Sequence, residues 1–323
     1  MIPFAPALRR KTLAFAAGAM ALLSACGGGD PVVPFEPTRV LAFGDENSLI
    51  TPEGRKYTIN ALSTDANGVK TLNCAVNPLW IQQLASSYGL VFPQCNPNAV
   101  PNPASRIYAA NGATVTDLVA QVDQHLAADS FSAKDLVTLF VGHHDVLELY
   151  ALYPTTPAEQ LLASARVAGE TLAGQVSRIA DAGGKVLVST APEMALTPFA
   201  AAEDLAAGDT TRTALLAALV GKFNEGLRVG IAKENGSQVA IMLTNELMQT
   251  MYKFPTSFSG MSNVTVQACD ATLAATVIDC TTDTLITGAT ATTHLWADGT
   301  HLSPNGHAYI GSLAASRTRA NPF

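Results

Sequence analysis

Short apolar segments alternate with longer amphipathic segments along most of this 323-residue chain. The connections between the apolar segments are long enough to hold crossover helices, which is typical of parallel sheets. The chain is 48% hydrophobic and 14% charged, so it can bury a large core. The pattern therefore predicts a flavodoxin-like α/β fold, a three-layer α/β/α sandwich with a mostly parallel central sheet. The predicted strands are 38–44, 105–113, 135–142, 185–190 and 238–244.

The N-terminus has the features of an export signal. A basic stretch, Arg9 to Lys11, precedes the short apolar segment 12–23, which is too short for a comfortable membrane span. The sequence Leu-Ser-Ala-Cys that ends at Cys26 resembles a bacterial lipobox. This resemblance implies lipidation of Cys26 and attachment to the outer membrane, facing the periplasm or the cell surface. An ordinary signal peptide followed by a chance cysteine is the alternative.

These signals divide the chain into three parts. Residues 1–25 are the predicted lipoprotein signal peptide, and 26–37 are a lipidated, flexible Gly/Pro-rich tether. Residues 38–323 remain for one folded domain.

Four further cysteines belong to the predicted domain: Cys74, Cys95, Cys269 and Cys280. An oxidising compartment favours disulfides, and four cysteines allow three pairings. The two short loops, Cys74–Cys95 and Cys269–Cys280, are the pairing we expect. No pair has the C-x-x-C spacing of a metal site.

The formal net charge of −7 restricts the partners of this chain. An acidic surface argues against nucleic acid and against polyanionic substrates. We therefore expect membrane attachment through the lipid alone.

Polar residues follow several predicted strands at the sheet edge where sites form in parallel folds. Glu46 follows the first strand, Gly112 lies at the end of the second, and His144 follows the third. Further along, Asp298 precedes His301 by three positions, a spacing at which a carboxylate can orient an imidazole in a tight turn.

Four segments, in this order, resemble the blocks of the GDSL/SGNH family of esterases and lipases. They are FGDENS at 43–48, YAANGATV at 108–115, VGHHD at 141–145 and DGTHLSPNGH at 298–307. The resemblance implies the SGNH-hydrolase fold, hydrolysis of small carboxylic or acyl esters, and no cofactor.

The resemblance also assigns roles, with two departures. Gly112 matches the glycine that donates an oxyanion N–H, and Asp298 and His301 match the orienting pair. Glu46 stands where the family has its nucleophilic serine, and His144 stands where it has an oxyanion asparagine.

Several kinds of hydrolytic chemistry remain open at such a centre. Glu46 or His301 could act on water as a general base, or Glu46 could be a carboxylate nucleophile. His144 can still donate one N–H to an oxyanion. Ser48, two residues after Glu46, is a candidate replacement nucleophile, although a helix-capping role explains it better.

Two alternatives do not involve hydrolysis. Glu46, His144 and His301, with Asp298 or Asp145 nearby, form a ligand set that suits zinc or non-haem iron. Otherwise the centre is inactive and binds a ligand or partner through the esterase cleft.

The other histidines have structural interpretations. If its segment is extended, His143 points away from His144. His125 is expected on a surface helix, His294 in a loop, and His307 as a packing residue of the last helix.

Overall fold

The computed structural model describes Met1 and residues 34–231 and 238–320. The chain divides into two units, Met1–Pro34 and Phe35–Phe323, and the elements below belong to the second. The predicted signal peptide, the lipidation site Cys26 and most of the tether lie outside the described residues, so they stay predictions.

A five-stranded, all-parallel sheet forms the centre of the fold, in the order β4-β1-β5-β6-β7. Its position agrees with the predicted apolar segments, although β4 is shorter than expected. The strands are β1 Arg39–Gly44, β2 Leu62–Thr64, β3 Lys70–Leu72, β4 Arg106–Ile107, β5 Asp135–Phe140, β6 Lys185–Ser189, β7 Val239–Met242, β8 Asn263–Gln267 and β9 His294–Trp296.

Helices cover both faces of the central sheet, as the predicted three-layer sandwich requires. They are α1 Trp80–Ser86, α2 Val115–Ala128, α3 His143–Ala151, α4 Ala158–Asp181, α5 Pro198–Ala207, α6 Thr211–Ile231, α7 Thr244–Lys253 and α8 Pro304–Arg319. No helix in the described ranges combines the length and the apolar character needed to span a membrane.

Alternate side chains of β1 pack into two separate hydrophobic cores. Leu41 and Phe43 pack with the layer that includes α2, α4 and α6. Val40 and Ala42 pack with the layer that includes α1, α7 and α8. Successive side chains of a strand point to opposite faces, so a continuously apolar strand is explained by burial on both sides.

Both expected disulfides are present. Cys74 bonds to Cys95, and Cys269 bonds to Cys280. The first joins the segment after the β2–β3 hairpin to the loop after α1. The second closes a loop within the long irregular region that precedes β9.

Candidate functional site

Adjacent parallel strands bring the polar segments together. Gly44, the last residue of β1, is paired with Phe140, the last residue of β5. The next turn of the chain after β1 is the short 3-10 helix Glu46–Ser48, and α3 begins at His143 just after β5. Because the strands are parallel and in register, both segments leave the sheet at the same edge.

The turn after β1 fixes the backbone of Glu46. Asp45 caps the 3-10 helix, because its carboxylate accepts the N–H of Asn47 at 3.0 Å. A β carbon on Gly44 would lie 1.8 Å from the carbonyl oxygen of Phe140, so only glycine fits there.

Gly112 lies in the loop after β4, the strand that pairs with the other edge of β1. Its φ of +75° is in the left-handed region, which glycine adopts without strain. The Gly112 N–H donates to Glu46 Oε2 at 2.9 Å. The predicted oxyanion donor is therefore occupied by a carboxylate of the same chain.

Asp298 and His301 meet in a tight turn after β9. The turn is closed by the N–H of Ala297, which donates to the carbonyl of His301 at 2.8 Å. His301 Nδ1 lies 2.9 Å from both carboxylate oxygens of Asp298, and the His301 N–H donates to Asp298 Oδ1 at 2.7 Å. This contact leaves His301 Nε2 free to point at another group.

That group is Glu46. His301 Nε2 lies 3.0 Å from Glu46 Oε1, and His144 Nε2 lies 2.7 Å from the same oxygen. The structure thus brings all five predicted site residues together. The Glu46 side chain lies at the centre and has no exposed surface.

These contacts determine the charges. Burial opposes ionisation of Glu46, but hydrogen bonds from His144 and His301 outweigh it and lower its pKa far below the usual range. Burial would also lower the pKa of His301, yet its hydrogen bonds to Asp298 and Glu46 raise it to about 10. His301 is therefore an imidazolium at neutral pH, between two carboxylates.

The prediction for His143 was wrong. Helix α3 begins at His143, directly after Gly142, so His143 is not on an extended segment and does not point away. Its Nδ1 lies 3.6 Å from Glu46 Oε1, and its ring stacks on that of His144 with centroids 4.7 Å apart. Burial and the neighbouring His301 charge lower the pKa of His143 to about 3, so this ring is neutral. In the sequence, the only indication that His143 joins His144 and His301 in the site is its position directly before His144.

The alternative nucleophile and the more distant acid take no part in this cluster. Ser48 is buried, and its hydroxyl has no hydrogen-bond partner within the described ranges, so it is not paired with His301. Asp145 accepts the N–H of Val115 with both oxygens at 3.1 Å, at the start of α2.

Two other histidines differ from expectation. His125 is buried, with Nδ1 2.8 Å from the hydroxyl of Tyr108, because the inner face of α2 packs against β1. His294 is in β9 rather than in a loop. His307 is fully buried in α8, as a packing role requires.

The ligand set for a metal also differs from the predicted one. Among the described residues, one group of acidic and histidine side chains is close enough to share a metal ion. It consists of Glu46, His143 and His144, whose ligand atoms lie within 4.8 Å of one another. His301, which the prediction included, contacts Glu46 but is not part of that group.

A family model for GDSL-like lipases and acylhydrolases matches residues 40–314, well over half of the chain. The chain belongs to this family. The match spans every strand of the central sheet and the Asp298–His301 turn. A search of curated proteins found no match.

Solved structures with similar folds include three hydrolases. A lipolytic G-D-S-L family protein from Veillonella parvula is 12% identical, with a TM-score of 0.42 over 86% of this chain and 96% of its own. A lipase from a goat rumen metagenome is 12% identical, with a TM-score of 0.47 over 88% of this chain and 99% of its own. An acetylxylan esterase from Geobacillus stearothermophilus is 14% identical, with a TM-score of 0.40 over 90% of this chain and 98% of its own.

Proposed function

We propose that this family member uses the hydrolase cleft as a charged binding centre, in which serine-type ester hydrolysis is switched off. One observation carries the proposal. The Glu46 carboxylate holds both groups that ester hydrolysis needs, the Gly112 N–H at 2.9 Å and His301 Nε2 at 3.0 Å. A substrate oxyanion would need the first group, and a serine hydroxyl would need the second.

The burial of Glu46 supports the same conclusion. Its side chain has no exposed surface, and each of its oxygens accepts a hydrogen bond. To attack a substrate, the carboxylate would have to give up hydrogen bonds to charged or backbone donors. Breaking such bonds in a buried site costs about 1–3 kcal/mol for each group left unpaired.

The charge of His301 supports it as well. A serine esterase needs a neutral imidazole that can take the hydroxyl proton. Two carboxylates flank His301 and keep it protonated, so it has no lone pair with which to act as a base.

A second candidate, ester hydrolysis by Glu46 itself, is favoured by the contacts of His301, which touches Glu46 through Nε2 and Asp298 through Nδ1. In this scheme the carboxylate attacks the carbonyl carbon of a small acyl ester, and the His301 imidazolium gives its proton to the departing alcohol. The resulting anhydride is then cleaved by water, whose proton returns to His301. The products are the free acid and the original carboxylate.

Turnover of p-nitrophenyl acetate and butyrate distinguishes the two. We expect the full chain to be no faster than its His301→Ala variant, and Glu46→Ser to gain turnover because serine restores a hydroxyl beside His301. Adding His144→Asn to Glu46→Ser should raise turnover further.

The isosteric variant Glu46→Gln is the matched control, because it keeps an oxygen for Gly112 and removes the charge. Turnover in the parent that disappears in Glu46→Gln would replace the proposal with the second candidate.

We also propose that the chain is exported and anchored through Cys26, on the strength of the lipobox-like sequence. Mass spectrometry of the N-terminal peptide should find a diacylglyceryl group. Cys26→Ser should release the protein from the membrane fraction, and an unmodified Cys26 in the parent would contradict the proposal.

A further inference from the structure

Three imidazoles surround one carboxylate oxygen in this centre. Glu46 Oε1 lies 2.7 Å from His144 Nε2, 3.0 Å from His301 Nε2 and 3.6 Å from His143 Nδ1. A carboxylate oxygen can accept two hydrogen bonds, and His144 and His301 both lie at hydrogen-bond distance from it. The buried His143 ring is a third imidazole beside this oxygen, which these two contacts do not require.

The groups around the cluster hold its atoms in the orientation of metal ligands. The Gly112 N–H binds Glu46 Oε2, which leaves Oε1 pointing inward. Asp298 binds His301 Nδ1 and so holds this ring beside Glu46 Oε1. His143 is buried, and its Nε2 has no hydrogen-bond partner among the described residues.

Spacing also fits. Zinc binds nitrogen and oxygen ligands at about 2.0–2.2 Å, so ligand atoms around a tetrahedral ion lie ~3.3 Å apart. The distances from Glu46 Oε1 to the two adjacent histidines, 2.7 and 3.6 Å, lie on either side of that value. Glu46, His143 and His144 all have a ligand atom within 4.8 Å of the others, so an ion requires shifts that side-chain rotations can supply.

The charge balance points the same way. Glu46 and Asp298 are two carboxylates whose ion pairs, within the described ranges, are with histidines. A divalent ion supplies two positive charges at one point, in the place where the carboxylate and the rings converge.

We propose that Glu46, His143 and His144 bind a divalent transition-metal ion, with zinc as the best fit to two imidazoles and one carboxylate. His301, held by Asp298, borders the site and contacts the Glu46 ligand. Three protein ligands leave a fourth position for water or for a ligand group. This inference rests on the proposed binding role and names the ligand of that centre.

Titration of the metal-free full chain with Zn²⁺ tests this inference. The chain should carry no added polyhistidine tag, and calorimetry and melting temperature should both be recorded. We expect about one ion per chain with a micromolar or tighter dissociation constant, and a rise in melting temperature. Glu46→Ala and His143→Ala should each weaken binding at least tenfold.

His294→Asn is the matched control, because it removes a buried histidine outside the cluster and should leave Zn²⁺ binding unchanged. The melting temperature of each metal-free variant reports whether it folds. Co²⁺ provides a second readout, since its visible absorption changes when imidazole and carboxylate bind it.

No Zn²⁺ binding by the folded parent, or equal binding by the parent, Glu46→Ala and His143→Ala, would overturn the metal site. If the parent also lacked ester turnover, the proposed binding role would survive with a different ligand. Ester turnover by the metal-free parent that depends on Glu46 would instead overturn the binding role, whatever the zinc result.

Discussion

The two sides of the centre differ in how much of the hydrolase arrangement they retain. On one side, the turn after β9 holds the Asp298–His301 pair, which matches the predicted family block. On the other side, Glu46 and His144 follow the ends of β1 and β5, where the resemblance predicts a serine and an asparagine. The fold does not depend on these two side chains, because they lie beyond the strands and do not form the two cores.

The Asp298–His301 motif does not act alone. The Asp298–His301 pair is positioned to orient a base, yet its imidazole is charged, because Asp298 and then Glu46, 3.0 Å from Nε2, both raise its pKa. Glu46 therefore adds to the effect of Asp298 on the charge of His301.

The largest effect is expected from a test of whether the Asp298–His301 pair can still support ester hydrolysis. In a Glu46→Ser background, adding His301→Ala should reduce p-nitrophenyl acetate turnover by roughly 10²–10⁴-fold, because the base is lost. Adding Asp298→Asn instead should lower turnover as well, since the ring loses its orienting carboxylate. If neither second change lowers turnover, the restored activity does not use this pair.

A pH-dependent effect on stability measures how strongly Glu46 and Asp298 hold the His301 proton. The folded pKa of His301 is about 10, above the ordinary value near 6.5, so its stabilisation is complete below pH ~6.5 and is lost as pH rises through 10. Between about pH 7 and pH 10, the metal-free parent should lose on the order of 3 kcal/mol more unfolding free energy than His301→Gln. Urea unfolding at each pH measures this difference, and parallel curves for the two proteins would contradict it.

A smaller effect is expected from the backbone that holds Glu46. In Gly112→Ala the new β carbon has open space around it, so the cost comes from the left-handed backbone and should be about 1 kcal/mol. Thermal unfolding measures it, and Gly174→Ala, inside α4 with similar open space, is the control that should not destabilise. A larger loss at residue 174 than at residue 112 would show that the left-handed turn contributes nothing.

The smallest effect is expected at Ser48. Ser48→Ala should leave ester turnover of the Glu46→Ser variant within about twofold, because the Ser48 hydroxyl is not paired with His301. It should also change the unfolding free energy by no more than about 1 kcal/mol, since an unpaired hydroxyl is removed. Loss of turnover in Ser48→Ala would make Ser48 the nucleophile.

Much of the fold was predictable from local patterns. The apolar strand β5, the Ala-rich helix α4 that ends just before a glycine pair and the parallel order of elements all follow from periodicity and breaker residues. The short helices α3, α5 and α7 were not among the predictions. The apolar periodicity of α3 and α5 is weak, and α7 begins at Thr244, which was assigned to the preceding strand.

The candidate site was partly predictable for a different reason. The family blocks located Glu46, Gly112, Asp298 and His301, since each block has a fixed place relative to a strand end. The inward position of His143 was not predictable, because it depends on the helix that starts at Gly142 rather than on the identity of the residue.

By itself, the sequence determined the family fold and favoured the two short-loop disulfides, and it predicted Glu46 and His144 at the serine and asparagine positions of the family blocks. Only the tertiary structure decided that Glu46 would meet His301, 255 positions away, and that three imidazoles would surround its carboxylate. The physical reason is that charge state and ligand geometry depend on distances between side chains. Those distances are set by which strands lie side by side, and β1 lies between β4 and β5.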